Sequence, residues 1–117
     1  MRRFWTALAA PLLGLTSTAA LAHAHLQKAL PANGSIVKTA PTSIVLTFSE
    51  PAKLTACWLQ KGDEPKQKIV APPRGPAPQI SVPVPHLEPA TYILSWRVVG
   101  DDGHVVPGQI QFTVVGN

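Results

Sequence analysis

The sequence predicts an all-β domain, a small sandwich of about seven short strands. Three observations predict it. Twelve of the 13 prolines and seven of the eight glycines lie beyond residue 22, spread rather than blocked, and they leave little room for a helix. Apolar residues recur at every second position in residues 43–49, 91–99 and 109–115, the period of a strand that buries one face. Turn-forming residues separate these runs at short intervals.

Taken in order, residues 25–30 form a first strand, closed by the turn signal Pro31-Ala32-Asn33-Gly34. In residues 43–49, Ile44, Leu46 and Phe48 share one side and Val45 and Thr47 the other. Residues 54–60 set Leu54, Ala56 and Trp58 against Thr55, Cys57 and Leu59; neither side is clearly polar, so the buried side stays open. Residues 61–68 are polar and turn-like, and residues 66–70 form a short edge strand before the proline-rich loop 71–78. Residues 79–84 alternate, with Pro83 putting their end at a sheet edge. After the connector 85–90, Tyr92, Leu94, Trp96 and Val98 share a face. In the last run Ile110, Phe112 and Val114 point in while Gln109, Gln111 and Thr113 point out. Runs of this kind fit an antiparallel sandwich of Greek-key type.

The first 22 residues stand apart. Arg2 and Arg3 precede an almost wholly apolar stretch, residues 4–15, and small residues then lead to Ala20-Leu21-Ala22. This is the pattern of a secretory signal peptide cut after Ala22. It is too short for a membrane anchor, and no later run approaches ~18 apolar residues. Cleavage leaves 95 of the 117 residues, enough for one core and not two. Losing Arg2 and Arg3 takes the net charge from +4 to +2, eight cations against six acids. Lys28, Lys38, Lys53, Lys61, Lys66 and Lys68 form no dense run and have no interleaved aromatics, which speaks against nucleic-acid binding. Cys57 is alone, so no intrachain disulfide staples the domain. The one methionine is the initiator, so the exported chain has no thioether for a methionine-based Cu(I) site.

Chemistry concentrates between the last two strands. Asp102 and His104 stand at i and i+2, and an extended backbone puts both side chains on one side. A carboxylate and an imidazole there suit Cu(II) or Zn(II), but two groups do not hold an ion tightly. A cut after Ala22 makes His23 the first residue, and its amine and ring Nδ1 can then chelate together. The α-amino group, with an ordinary pKa of ~7.7–8.0, gives up its proton to a metal readily near neutrality. The His104 imidazole makes three nitrogens in a T-shape, and Asp102 completes a tetragonal site that favours Cu(II). Until the leader is removed, the amine ligand does not exist.

Other readings compete. His23-Ala24-His25 also matches the amino-terminal pattern in which the amine, two amides and a third-position imidazole wrap Cu(II), leaving Asp102 and His104 unused. A cut after Ala24 would instead make His25 the N-terminal chelator. Glu50, before Pro51, either ends a strand in water or holds the N-terminus or a ligand from behind. An Asp-Gly-His loop taken alone is commonly turn chemistry with a solvated imidazole. Asp101, one residue out of phase, reads as a solvated turn residue, and His86 as exposed. Cys57 reads as a small buried hydrophobe, and Trp58 and Trp96 as core. Trp96 would lie near enough to the site to exclude water and to lose fluorescence when copper binds.

From His23 to its end the chain resembles the CopC family of periplasmic copper-binding proteins. The matching residues are His23-x-x-Leu26, Pro31-Ala32-x-Gly34-Ser35, Leu46-x-Phe48-Ser49-Glu50 and Ala90-Thr91-Tyr92. Most specific is Trp96-Arg97-Val98-Val99-x-x-Asp102-x-His104, followed by Gly108 and Phe112-x-Val114. The resemblance implies a small cupredoxin-like or immunoglobulin-like Greek-key β-barrel. It implies one Cu(II) per mature chain, held by the amine and ring of His23 with Asp102 and His104, Glu50 standing close by. It implies copper homeostasis or resistance rather than catalysis, a periplasmic location and a CopD-like inner-membrane partner. The methionine-rich Cu(I) loop of some members would fall around residues 59–78, where this chain has none. Two alternatives are a metal-free immunoglobulin-like interaction module of a secreted assembly and a His-brace oxidative enzyme. The enzyme needs larger loops and a substrate face that 95 residues with few exposed aromatics hardly provide.

Overall fold

The computed structural model describes residues 24–116; the expected leader and His23 lie outside the described residues. Seven strands make up the domain: β1 (Leu26–Leu30), β2 (Ser35–Val37), β3 (Ser43–Lys61), β4 (Gln67–Lys68), β5 (Ala77–Pro83), β6 (Ala90–Gly100) and β7 (Val105–Val114). No helix occurs among the described residues, as the proline and glycine spacing requires.

The organising element is β3, which spans two runs that the sequence separates at Pro51. Its first half pairs with β1 and β5, and its second half with β6 and β4. Pro51 falls in a gap in the pairing: the β1 ladder ends at Phe48, the β6 ladder starts at Ala52, and the β5 ladder skips from Thr47 to Ala52. A missing N–H therefore costs nothing there, and the strand passes from one layer to the other without ending. One edge-to-edge order, β1-β3-β6-β7-β2, then curls the chain round its core.

The alternation is the reason the core forms. Ile44, Leu46 and Phe48 from the first half of β3 meet Tyr92, Leu94, Trp96 and Val98 of β6 and Ile110, Phe112 and Val114 of β7 in one buried cluster. Phe48 meets Trp96 edge to face at 6.3 Å, and Tyr92 stacks on Phe112 at 5.6 Å. In the ambiguous run, Cys57 and Leu59 take the buried side. Trp58 faces outward, half-buried, with the Arg97 guanidinium 5.4 Å above its ring. It is therefore not the core residue the sequence suggests.

The other departure is β2. Its three residues are too few to alternate legibly, and Ile36 points into solvent. It pairs parallel with β7, Ser35 opposite Phe112, so the sheet is not antiparallel throughout. Asn33 locks this crossover, its side-chain oxygen accepting from the Gln111 N–H at 2.8 Å, while the Gly34 N–H donates to the Gln111 carbonyl at 2.6 Å.

Two predictions follow from this packing. A Cβ on Gly108 would stand 2.5 Å from the Trp96 indole, which is buried and cannot retreat. Gly108→Ala therefore costs about 1–3 kcal/mol, read as a lower urea midpoint with an unchanged slope. Burial pushes the Cys57 thiol up to about 11 from its ordinary 9.0. The folded state thus holds this proton more tightly than the unfolded chain, so its contribution to stability is complete below pH 9.0 and drains away toward about 11. Native protein should react with a thiol reagent at neutral pH only after denaturant is added.

Candidate metal centre

Chain direction changes between β6 and β7 in a tight turn over Asp101, Asp102 and Gly103. The Gly103 N–H donates to the Gly100 carbonyl at 3.0 Å, and the Gly100 N–H to the His104 carbonyl at 3.2 Å. Gly103 has φ +80°, a left-handed conformation that a Cβ would strain. Asp102 and His104 come together here, but through the turn rather than through the extended backbone that the i, i+2 spacing suggests. One carboxylate oxygen, Oδ1, accepts from the His104 N–H at 3.0 Å; the other, Oδ2, lies 3.1 Å from His104 Nδ1. Asp102 thus fixes both the backbone and the ring of His104. The His104 side chain is 68% exposed against 26% for Asp102, so the imidazole stands outermost. Asp101 and His86 are exposed, in keeping with their sequence reading.

The segment that follows His23 enters beside this turn. Ala24 is buried, and its backbone nitrogen and methyl each lie 3.6 Å from where a Gly100 Cβ would be. Asp102 Oδ1 lies 3.5 Å from that same point. The next residue is clipped to β3: the His25 N–H donates to Ser49 Oγ at 2.9 Å, and the Ser49 N–H donates to the His25 carbonyl at 2.8 Å. Glu50 follows directly, and its Oε1 is buried with no hydrogen-bond partner among the described residues. The β3–β6 ladder ends at Ala52 and Gly100, two residues after Glu50 and two before Asp102. An unpartnered buried carboxylate oxygen is costly unless a donor or a cation reaches it.

Among the described residues, no three His, Cys, Asp or Glu side chains converge as a metal group. The structure brings Asp102 to His104, sets the His25 backbone on Ser49, and does not gather His25 and Glu50 with that pair into a described triad. The functional signal that sequence reasoning missed is Gly100. Its missing side chain admits Ala24, and nothing in the spacing of the motif announces that contact. Gly103→Ala, by straining the turn, should cost about 1 kcal/mol in a urea titration and loosen the Asp102–His104 contact.

This all-β domain has known counterparts. The CopC domain model matches residues 26–115. Protein YobA of Escherichia coli K12 is 36% identical over 114 residues, covering 92% of this chain and 91% of the relative. Copper resistance protein C of Xanthomonas campestris pv. juglandis is 34% identical over 110 residues, 86% of each chain. Among solved structures, PcoC, a methionine-rich copper resistance protein from Escherichia coli, superposes with a TM-score of 0.61 at 31% identity, covering 80% of this chain and 99% of that one. CopC from Methylosinus trichosporium OB3b gives a TM-score of 0.68 at 23% identity, covering 81% and 96%, a likeness of fold. The chain belongs to the CopC family.

Proposed function

We propose that this chain is exported to the periplasm, cut after Ala22, and there binds one Cu(II) to sequester it or pass it on. A copper-related function follows from membership of the CopC family, whose named relatives include copper resistance proteins. The finer reading is that the His23 amine and ring, with Asp102 and His104, supply the ligands. The observation that carries it is the position of Ala24, whose nitrogen approaches the same point beside Gly100 as the Asp102 carboxylate. The peptide unit leading back to residue 23 therefore starts at the turn that bears the other two donors.

Two details favour this set over its competitors. The amino-terminal wrapping mode needs the His25 amide nitrogen as a ligand, yet that N–H is committed to Ser49 Oγ. A cut after Ala24 would remove a residue buried at the base of the site. With Nδ1 held by Asp102, His104 would meet an ion through Nε2, its tautomer set by the carboxylate. To Glu50, whose Oε1 is buried with no hydrogen-bond partner among the described residues, we assign an accessory role toward the N-terminal amine. His25 is accessory, its backbone clipped to Ser49. Release would come by transfer or by reduction, since Cu(I) fits nitrogen and oxygen donors poorly. A CopD-like inner-membrane protein is the partner such a carrier would meet.

The test is a competition titration with a Cu(II) chelator. His104→Ala, and separately a chain keeping one extra methionine before His23, should each lose at least about a hundredfold in affinity. Unchanged affinity in both variants would reject the ligand set while leaving the family assignment intact.

A further inference from the structure

Charge is distributed unevenly over this domain. Five of the eight cations beyond residue 22 line two grooves beside β3, and none of the six carboxylates does. The first groove, about 440 Å³, lies between β3, β5 and the loop after β4; Lys53, Lys68 and Arg74 rim it. Its walls are mainly apolar, among them Leu54, Ala56, Ile69 and Ile80. The second, about 480 Å³ and shallower, runs along β6 and β7 and holds Lys66, Arg97 and Trp58. The strand pair joins the two: Lys53 stands opposite Val99 and Ala56 opposite Arg97, on one face of the sheet. Between them the Arg97 guanidinium lies over the Trp58 ring. The rest of the domain carries only Lys28, Lys38 and Lys61 against all six acids. Cations that the sequence scatters over 45 positions are thus gathered by the fold.

From this we infer that the two grooves flanking β3, bounded by β4, β5, β6, β7 and the loop after β4, form a docking surface for an acidic protein segment bearing an apolar side chain. The apolar groove takes the side chain, and the cation rim pairs with flanking carboxylates. Arg97 is pre-oriented by Trp58, and its planar fork presents paired N–H groups to a carboxylate. Arginine and tryptophan at the centre of a patch are the residue types that dominate binding energy at interfaces. A lipid surface fits less well, because the apolar area here is concave, whereas insertion into a bilayer needs it to protrude. Neither Asp102 nor His104 lines either groove, so the inference does not rest on the copper reading.

The experiment is an NMR titration of the ¹⁵N-labelled exported protein with a short capped peptide of glutamates around a central leucine. The expected result is shift changes at the Trp58 indole N–H and at the Ala56, Ile69 and Arg97 amides, weakening with salt. R97E and K68E, both at exposed positions that leave the core untouched, should each reduce the affinity at least about tenfold. Shifts mapping elsewhere, equal binding of the glutamine version of the peptide, or unchanged affinity in both variants would overturn the inference. So would binding confined to phosphatidylglycerol vesicles.

Discussion

The N-terminal end of this domain is organised by how closely the backbone of Ala24 approaches Gly100. Gly100 offers no side chain, the Ala24 methyl is small enough to fill the space, and both are buried. On the far side of Ala24 two hydrogen bonds between His25 and Ser49 hold the strand entry against β3. The N-terminal segment is therefore pinned from two directions at one end of the sheet. That end is where β6 turns into β7, and where a carboxylate and an imidazole are already paired. The long continuous β3 makes this possible, because it carries Ser49 and Glu50 in one layer and the partner of Gly100 in the other.

The turn itself is fixed by its own hydrogen bonds. Gly103 in its left-handed conformation reverses the chain within three residues, and Asp102 uses its two oxygens on one neighbour. Fixing the imbalance of freedom in an exposed histidine ring is the usual task of an outer carboxylate at a metal site. Here the same carboxylate lies beside the N-terminal segment as well, so orientation and ligation are open to one residue. Glu50 adds a second negative group whose inner oxygen meets nothing among the described residues.

Much of this was legible in the sequence, and the exceptions have physical causes. Ile44, Leu46, Phe48, Tyr92, Leu94, Trp96, Ile110 and Phe112 announce their buried faces by simple alternation, and all are buried. Pro51 misleads because a proline breaks a strand only where its N–H is wanted, and β3 wants none at the crossing between layers. β2 is hidden because three residues, one of them the outward Ile36, carry no periodic signal. Trp58 misleads because an aromatic ring can be covered by an arginine on the surface as readily as by a core. Asp102 and His104 could be singled out from spacing and family resemblance, yet their mutual geometry comes from turn hydrogen bonds rather than from strand pleat. The basic grooves could not be read at all, since Lys53, Lys68 and Arg74 come to one cleft, and Lys66 and Arg97 to another, only once the chain has folded.

The central claim is that proteolysis creates a ligand and that the fold has already placed the rest of the set beside it. Native mass spectrometry of the chain recovered from the periplasm of copper-supplemented cells tests that claim most directly, because one spectrum reports both the first residue and the bound metal. The account predicts a 95-residue chain beginning at His23 and carrying one copper. A chain beginning at His23 that arrives without metal, or copper retained by a chain whose first residue is not His23, would contradict it.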